Sequence, residues 1–280
     1  MRTTAHIWLV GFTTPHSGIS LSYMLNTDVV LLDTYGSPYP KSEDPDETIS
    51  QGGYASHIRA HEYFTFPIPD GLSSIEAAPM MCAGLTVYSP LVRLGAGPGK
   101  KVGIVGIGGL GHFGILWAAA LGAEVYAISH SPRKKEDALK LGAKHFISTS
   151  EKDWAEPYAF TLDFIINTAD MTHEFNMKDY MSMLNIGGHF HQVGLPDEPL
   201  PRMMAQDFVS NMAAISASHI GCRPEALAML KLAADKNLHP MIETIPISEK
   251  GCSEAVQRVK KNDVRYRFTL TDYDEAFGSR

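Results

Sequence analysis

The sequence predicts an α/β protein built on a doubly wound parallel sheet, with a second, smaller, β-rich part. Three observations lead there. From residue 100 onward, branched apolar runs of strand length alternate with stretches of helix length, the pattern of strands joined by helical crossovers. The first of these runs, 102–105, passes straight into Gly106-Ile107-Gly108-Gly109-Leu110-Gly111 and then into a helical stretch. A chain of 280 residues, at roughly 150 per domain, is expected to hold two domains.

Taken in order, residues 29–32 read as a short strand and 37–48, rich in prolines and acids, as an exposed loop. Between 51 and 69, apolar Tyr54, Ile58, Phe64 and Phe66 stand among polar residues, which suggests short antiparallel strands. Ser73-Ser74 opens a helix with Glu76 in a capping position, and this helix runs over 77–94 to the glycine-rich stretch at 95–99. The run 102–105 suits a buried parallel strand. Helices are expected over 112–121 and 133–141, the latter ended by Gly142, with a strand at 125–128 between them. Further strands are expected at 145–148, 164–167, 189–193 and 214–218. The last sixty or so residues read as helix 224–235, strand 243–247, helix 252–260 and strand 266–270. No internal repeat or low-complexity tract is visible.

Composition removes several classes. Apolar residues make up 44% of the chain and charged residues 20%, enough apolar surface for a sizeable core. The balance of 24 basic against 31 acidic residues gives a net charge of −7, which argues against nucleic acid or an anionic membrane as partner. Cys82, Cys222 and Cys252 form no CxxC pair, so neither a disulfide framework nor a zinc knuckle is expected, and the compartment reads as reducing. The apolar start is broken by His6, Pro15 and His16 and makes a poor signal peptide. No run of 18 apolar residues occurs, so no spanning helix is expected. The expected location is the cytoplasm.

The glycine turn carries the clearest chemistry. Gly106 permits a tight turn, Gly108 lets a pyrophosphate approach the backbone, and Gly111 lets the following helix pack on the strand. With Gly109 and Leu110 they form a candidate dinucleotide cradle at a helix N-terminus, where free N–H groups and the helix dipole attract an anion. After the next strand, a site for NAD would carry a carboxylate to hold the ribose 2′-hydroxyl. Here the chain reads Ser129-His130-Ser131-Pro132-Arg133-Lys134-Lys135, with no acid before Glu136. Three adjacent cations at a helix start oppose its dipole unless an anion is bound, so NADP(H) is favoured.

Several separate motifs then converge. Gln51-Gly52-Gly53-Tyr54-Ala55, Pro67-Ile68-Pro69, the stretch 77–91 with Cys82-Ala83-Gly84-Leu85-Thr86, the run 103–112 and the ending Asn262-Asp263-Val264-Arg265-Tyr266-Arg267-Phe268 together resemble the zinc-dependent medium-chain alcohol dehydrogenases. Within them the chain is most similar to the cinnamyl alcohol dehydrogenase group, including its fungal NADP-dependent members. The resemblance covers about residues 34–275. It implies a Rossmann nucleotide domain at 87–221 and a discontinuous, incomplete GroES-like domain made of a remnant at 1–86 and a returning segment at 222–280. It implies hydride transfer between NADP(H) and a small alcohol or aldehyde, with zinc polarising the carbonyl oxygen. Carried over by position, Cys82 resembles a catalytic zinc ligand and Thr86 a nicotinamide contact. Ser129 and Lys134 resemble contacts to the 2′-phosphate. Thr168, Leu195 and Ser218 fall at sheet ends lining the cofactor crevice, and Arg265 resembles a residue reaching the cofactor phosphates. The resemblance also implies a homodimer through the last strand of the nucleotide sheet, near residues 215–220.

The sequence departs from that pattern. The family carries a cysteine, a Gly-His-Glu motif and a four-cysteine lobe ahead of the Gln51–Ala55 segment, and this sequence has none of them there. A catalytic zinc takes about three protein ligands, and Cys82 is the one retained. His57 and His61 have an i, i+4 spacing, but in a stretch that reads as strand they make a poor metal pair. His189 and His191 share one face of a strand and are expected to be packed or hydrogen-bonded; Cys222 and Cys252 read as small buried apolar residues. The chain itself is therefore expected to be a weak or inactive alcohol dehydrogenase. Two rivals remain: a zinc-free reductase of the quinone or enoyl type, and a non-catalytic NADPH-binding remnant.

Overall fold

The computed structural model describes residues 65–169, 175–196 and 199–278, with short pieces at 22–24, 31–33, 38, 45–49 and 53. Of the strand pattern expected over 51–69, residues 51–52 and 54–64, with His57 and His61, lie outside the described residues, as do His6 and His16, and residues 65–69 form no strand. The chain divides into two compact units, one of Thr86–His219 and one of Met1–Leu85 with Ile220–Arg280. Near the start, β1 (Ser22–Met24) pairs antiparallel with β2 (Leu31–Asp33).

A 20-residue helix, α1 (Ser74–Arg93), follows. Ser73 caps it by accepting from the Glu76 amide at 3.2 Å, and the Ser73 hydroxyl donates to the Glu76 carboxylate at 2.6 Å. The helix is long and apolar enough to cross a membrane, contrary to the expectation that no such segment exists. However, 72% of it is buried inside the protein, as in the core helix of a globular domain. Its middle, Met80–Gly84, widens to π-helix directly after Pro79. Proline has no N–H for the Ile75 carbonyl one turn back. That carbonyl accepts instead from the Thr269 hydroxyl at 2.9 Å, a residue 194 positions away.

In the Thr86–His219 unit, the strands are β3 (Lys101–Val105), β4 (Glu124–Ser129), β5 (His145–Ser148), β6 (Leu162–Asn167), β7 (Leu184–Gln192) and β8 (Ala214–Ala217). They form one sheet in the order β5-β4-β3-β6-β7-β8, every pair parallel. This is the doubly wound Rossmann order, with its reversal between β3 and β6. The intervening helices are α2 (Gly111–Leu121), α3 (Lys135–Lys140) and α4 (Met177–Ser182). Helix α2 is buried nearly all round. Fully buried Trp117 stacks on Phe113 at 5.7 Å, and Tyr88 meets it edge-on at 6.2 Å. A second cluster joins Ile128, Ile147, Leu162, Ile165, Tyr180 and Phe190 on the sheet.

Two differences from the sequence expectation have clear causes. Strand β7 starts at Leu184 rather than 189, because Leu184 already pairs with Leu162; the register then jumps to His189 opposite Phe164, and residues 185–188 bulge out between them. Gly187 has φ +73° there, its N–H donates to the Asn211 carbonyl at 2.7 Å, and a Cβ at Gly188 would meet Asn185 and Leu184 at 2.9 Å. Helix α4 was not anticipated, being only six residues long.

In the other unit, α5 (Arg223–Asp235) begins after the Cys222 amide donates to Glu225 at 2.8 Å. Strands β9 (Ile242–Pro246) and β10 (Arg267–Thr271) pair in parallel and are covered by α6 (Glu249–Lys260), through Ile245, Ala255 and Phe268. Helix α6 starts three residues earlier than expected because the Ser248 hydroxyl caps it, accepting from the Gly251 amide at 2.9 Å. A short α7 (Tyr273–Phe277) ends the described chain.

Candidate functional site

The glycine turn leaves β3 at the point where the strand order reverses, beside the carboxyl end of β6. In doubly wound sheets ligands bind in the crevice at this point. Gly106 has φ +84°, a left-handed conformation that costs glycine little, and its N–H donates to the Ile128 carbonyl at 2.9 Å. A Cβ on Gly106 would lie 3.1 Å from both Ala169 and the Thr168 hydroxyl. A Cβ on Gly111 would strike the Gly106 carbonyl oxygen, so α2 crosses the turn where only glycine fits. Around Gly108 the opposite holds: a Cβ there would meet nothing within 4 Å. The turn thus leaves an open shelf of backbone at the N-terminus of α2, the shape a pyrophosphate requires.

Thr168 secures the turn from β6. Its hydroxyl donates to the Val105 carbonyl at 2.8 Å and lies 3.1 Å from that of Gly106, while its own amide donates to Val105 at 2.9 Å. Buried His112, the second residue of α2, secures it from the other side: its amide and Nδ1 lie 3.0 and 3.1 Å from the Gly108 carbonyl. Lys134 closes it from β4, its Nζ donating to the Ile107 carbonyl at 2.7 Å. Burial, with the neighbouring Arg133 charge second, holds the Lys134 ammonium below the usual lysine pKa, against the opposing pull of Asp137. Ser129 ends β4, and Arg133, whose Nε contacts the Ser131 hydroxyl at 3.4 Å, is exposed on the same turn.

The remaining strand ends are tied together by groups that sequence reasoning did not single out. Asn167 donates to the Gln192 side-chain oxygen at 2.7 Å, Gln192 donates to the Gly194 carbonyl at 2.7 Å, and the Ser218 amide donates to the Gln192 carbonyl at 3.2 Å. A polar residue closing an otherwise apolar strand was the available signal for Asn167 and Gln192. His191 lies between the Ser216 and Ser218 hydroxyls, with its two ring nitrogens 2.8 Å from each. Burial, with His189 nearby, pushes its pKa down to about 4. It is therefore a neutral, hydrogen-bonded imidazole, which agrees with the expectation of packing or hydrogen bonding. Leu195, just beyond β7, is 57% exposed, and Thr86 is buried at the head of this unit.

Cys82 and Arg265 belong to the other unit. Cys82 sits in the π-helical segment, where burial pushes its thiol pKa up and the Arg267 guanidinium draws it down. The Arg265 amide donates to Glu243 at 2.7 Å. The same carboxylate accepts from Arg258 at 2.7 Å, and Arg258 lies 4.7 Å over the Phe268 ring. Among the described residues no group of three His, Cys, Asp or Glu side chains is placed to hold a metal ion. A catalytic zinc takes a thiolate and two further donors, so the described residues do not by themselves complete a zinc site.

Comparison with known proteins agrees with this geometry. The zinc-binding dehydrogenase family matches residues 109–235. NADP-dependent alcohol dehydrogenase 6 of Saccharomyces cerevisiae is 44% identical over 245 residues, which cover 87% of this chain and 66% of that protein. Aldehyde reductase YahK of Escherichia coli is 39% identical, covering 85% of this chain and 68% of that one. Among solved structures, the cinnamyl alcohol dehydrogenase of Helicobacter pylori complexed with NADP(H) superposes with a TM-score of 0.72 at 31% identity, over 85% of this chain and 65% of that one. The Sorghum bicolor enzyme gives 0.71 at 33% identity, over 79% and 61%. The chain belongs to the zinc-binding dehydrogenase family, on its alcohol dehydrogenase branch. It spans about two thirds, or slightly less, of the length of the curated relatives it matches.

Proposed function

We propose that this chain is an NADP(H)-binding oxidoreductase unit of the alcohol dehydrogenase type, acting between the nicotinamide and a small alcohol or aldehyde. The observation that carries the reading is the pairing of an open glycine shelf with a turn after β4, residues 129–135, that holds three cations and no carboxylate. Gly108 leaves room for a pyrophosphate. The turn after β4 carries Ser129, Arg133 and Lys134, donors and positive charge of the kind a 2′-phosphate needs, which supports the reading. The yeast relative is an NADP-dependent alcohol dehydrogenase and the Helicobacter pylori structure is a complex with NADP(H), which supports the same nucleotide here.

Bound there, the cofactor supplies the hydride donor or acceptor. The chain's part is to hold the pyrophosphate on the 108–110 backbone, to neutralise the 2′-phosphate with Arg133 and Lys134, and to keep Thr168 and Ser218 at the strand ends flanking the crevice. The described residues do not fit a catalytic zinc, so no step is routed through one, and aldehyde turnover by this chain is expected to be slow. Arg265 is the proposed second contact to the cofactor phosphates.

The binding test is titration with NADPH and NADH. Tighter binding of NADPH by about tenfold or more supports the reading, because a desolvated charge pair contributes on that scale. Equal affinity for both, or none for either, overturns it.

We further propose a homodimer through β8, the outer strand of the sheet. Three strongly exposed apolar side chains support this reading: Val209 and Met212 in the chain leading into β8, and Ile186 on the neighbouring β7, at 73%, 75% and 76% exposure. Sedimentation of the native chain should give a dimer, and M212D should give a monomer. A monomeric wild type overturns this part.

A further inference from the structure

We propose that Lys134 is a positioning residue for the glycine turn: by holding the Ile107 carbonyl, it fixes the peptide that presents the Gly108 amide to the pyrophosphate. It would therefore support NADH binding as well as NADPH binding. This rests on the dinucleotide reading above and adds a role that a contact to the 2′-phosphate would not have.

Two peptide planes meet at Gly108. A trans peptide is planar, so its C=O and N–H point in opposite directions. The Lys134 ammonium on the Ile107 oxygen, at 2.7 Å, therefore also sets the direction of the Gly108 N–H. The next plane is set by His112, whose amide lies 3.0 Å from the Gly108 oxygen. Glycine, lacking a Cβ, would otherwise turn freely at this point, and even a Cβ at 108 would touch nothing within 4 Å. Two anchors, one from the turn after β4 and one from α2, thus hold a residue that has no steric anchor of its own. Preorganised donors bind an anion without the ordering cost that a mobile loop incurs. The partial burial of Lys134 fits this role: a cation kept among packed atoms beside Arg133 needs a carbonyl partner to remain there.

The test uses the full chain and compares K134M, K134R and R133M. It measures dissociation constants for NADPH and NADH by cofactor fluorescence, and amide exchange of the peptide covering 106–111 without ligand. The expectation is that K134M weakens NADH by about five- to tenfold, the scale of one charge-assisted hydrogen bond, and weakens NADPH by more. Exchange in the glycine turn should speed up in K134M. R133M should weaken NADPH while leaving NADH within about twofold, and K134R, which keeps a cationic donor, should recover most of the lost NADH affinity. If K134M leaves NADH affinity within twofold and turn exchange unchanged, the positioning role is overturned, while the nucleotide reading stands on the wild-type preference. If the wild type binds neither nucleotide, the reading fails and this inference with it. Should K134M fold poorly, K134Q takes its place in both measurements: faster turn exchange with weaker NADH binding supports the role, and the absence of both changes overturns it.

Discussion

Residues 106–111 and Met80–Gly84 are both irregular stretches of backbone that carry expected functional residues, and they are held in different ways. The first is locked by its own glycines and by three polar side chains from neighbouring elements: Thr168, His112 and Lys134. The second is widened by Pro79 and compensated from far along the chain by Thr269. Around the glycine turn the contacts leave an open, donor-bearing shelf. Around Cys82 the charged neighbour is Arg267, and burial raises the thiol pKa while that guanidinium lowers it. The difference separates two requirements of one enzyme type. Binding the dinucleotide is written into a short local segment, whereas a metal-assisted reaction needs donors from several separate segments.

The comparison can be broken most forcefully at Gly111. Replacing it with alanine drives a Cβ into backbone that cannot turn aside, and the expected cost is about 3 kcal/mol or more, with loss of nucleotide binding. Urea unfolding followed by circular dichroism measures it; a cost below about 1 kcal/mol would mean that the turn is not locked.

The next effect comes from acid. The His191 pKa is lowered to about 4 from 6.5, first by burial and then by His189. Between those values the unfolded chain binds a proton that the folded chain refuses. Stability is therefore complete above about pH 6.5 and is lost as pH falls towards 4, by about 2–3 kcal/mol in total. His219, also lowered by burial, acts in the same direction. In H191N the loss over this window should shrink by most of that amount; an unchanged slope would remove His191 as its source.

At the other stretch, T269V should cost about 1–2 kcal/mol, because it leaves the Ile75 carbonyl freed by Pro79 without its hydroxyl donor. A neutral result would show that the π-helical segment does not depend on that bond. The smallest effect is expected at Cys82. C82S should change stability by less than about 1 kcal/mol and leave the NADPH dissociation constant within twofold. A tenfold weakening of NADPH would mean that the two stretches are not separate in function.

The same contrast explains what could be read from the sequence. The strand-and-helix alternation and the glycine turn were legible because periodicity, branched residues and glycine spacing act over a few positions. Strand β7 was placed five residues late because its first pairing, Leu184 with Leu162, is separated from the rest by a bulge over 185–188 that no local pattern announces. The serine partners of His191 and the Thr269 bond to Ile75 join residues 25 to 194 positions apart. No local pattern announces such pairs. Lys134 was singled out for its charge, while its bond to the Ile107 carbonyl, 27 residues away, emerged only from the fold.

The most direct measurement is a calorimetric titration of the purified chain with NADPH and with NADH, in the presence of a strong chelator. A glycine shelf with a cationic rim that works without metal should bind NADPH at least about tenfold more tightly than NADH, with affinities unmoved by the chelator. Equal binding of the two, or NADPH binding that disappears with the chelator, would contradict it.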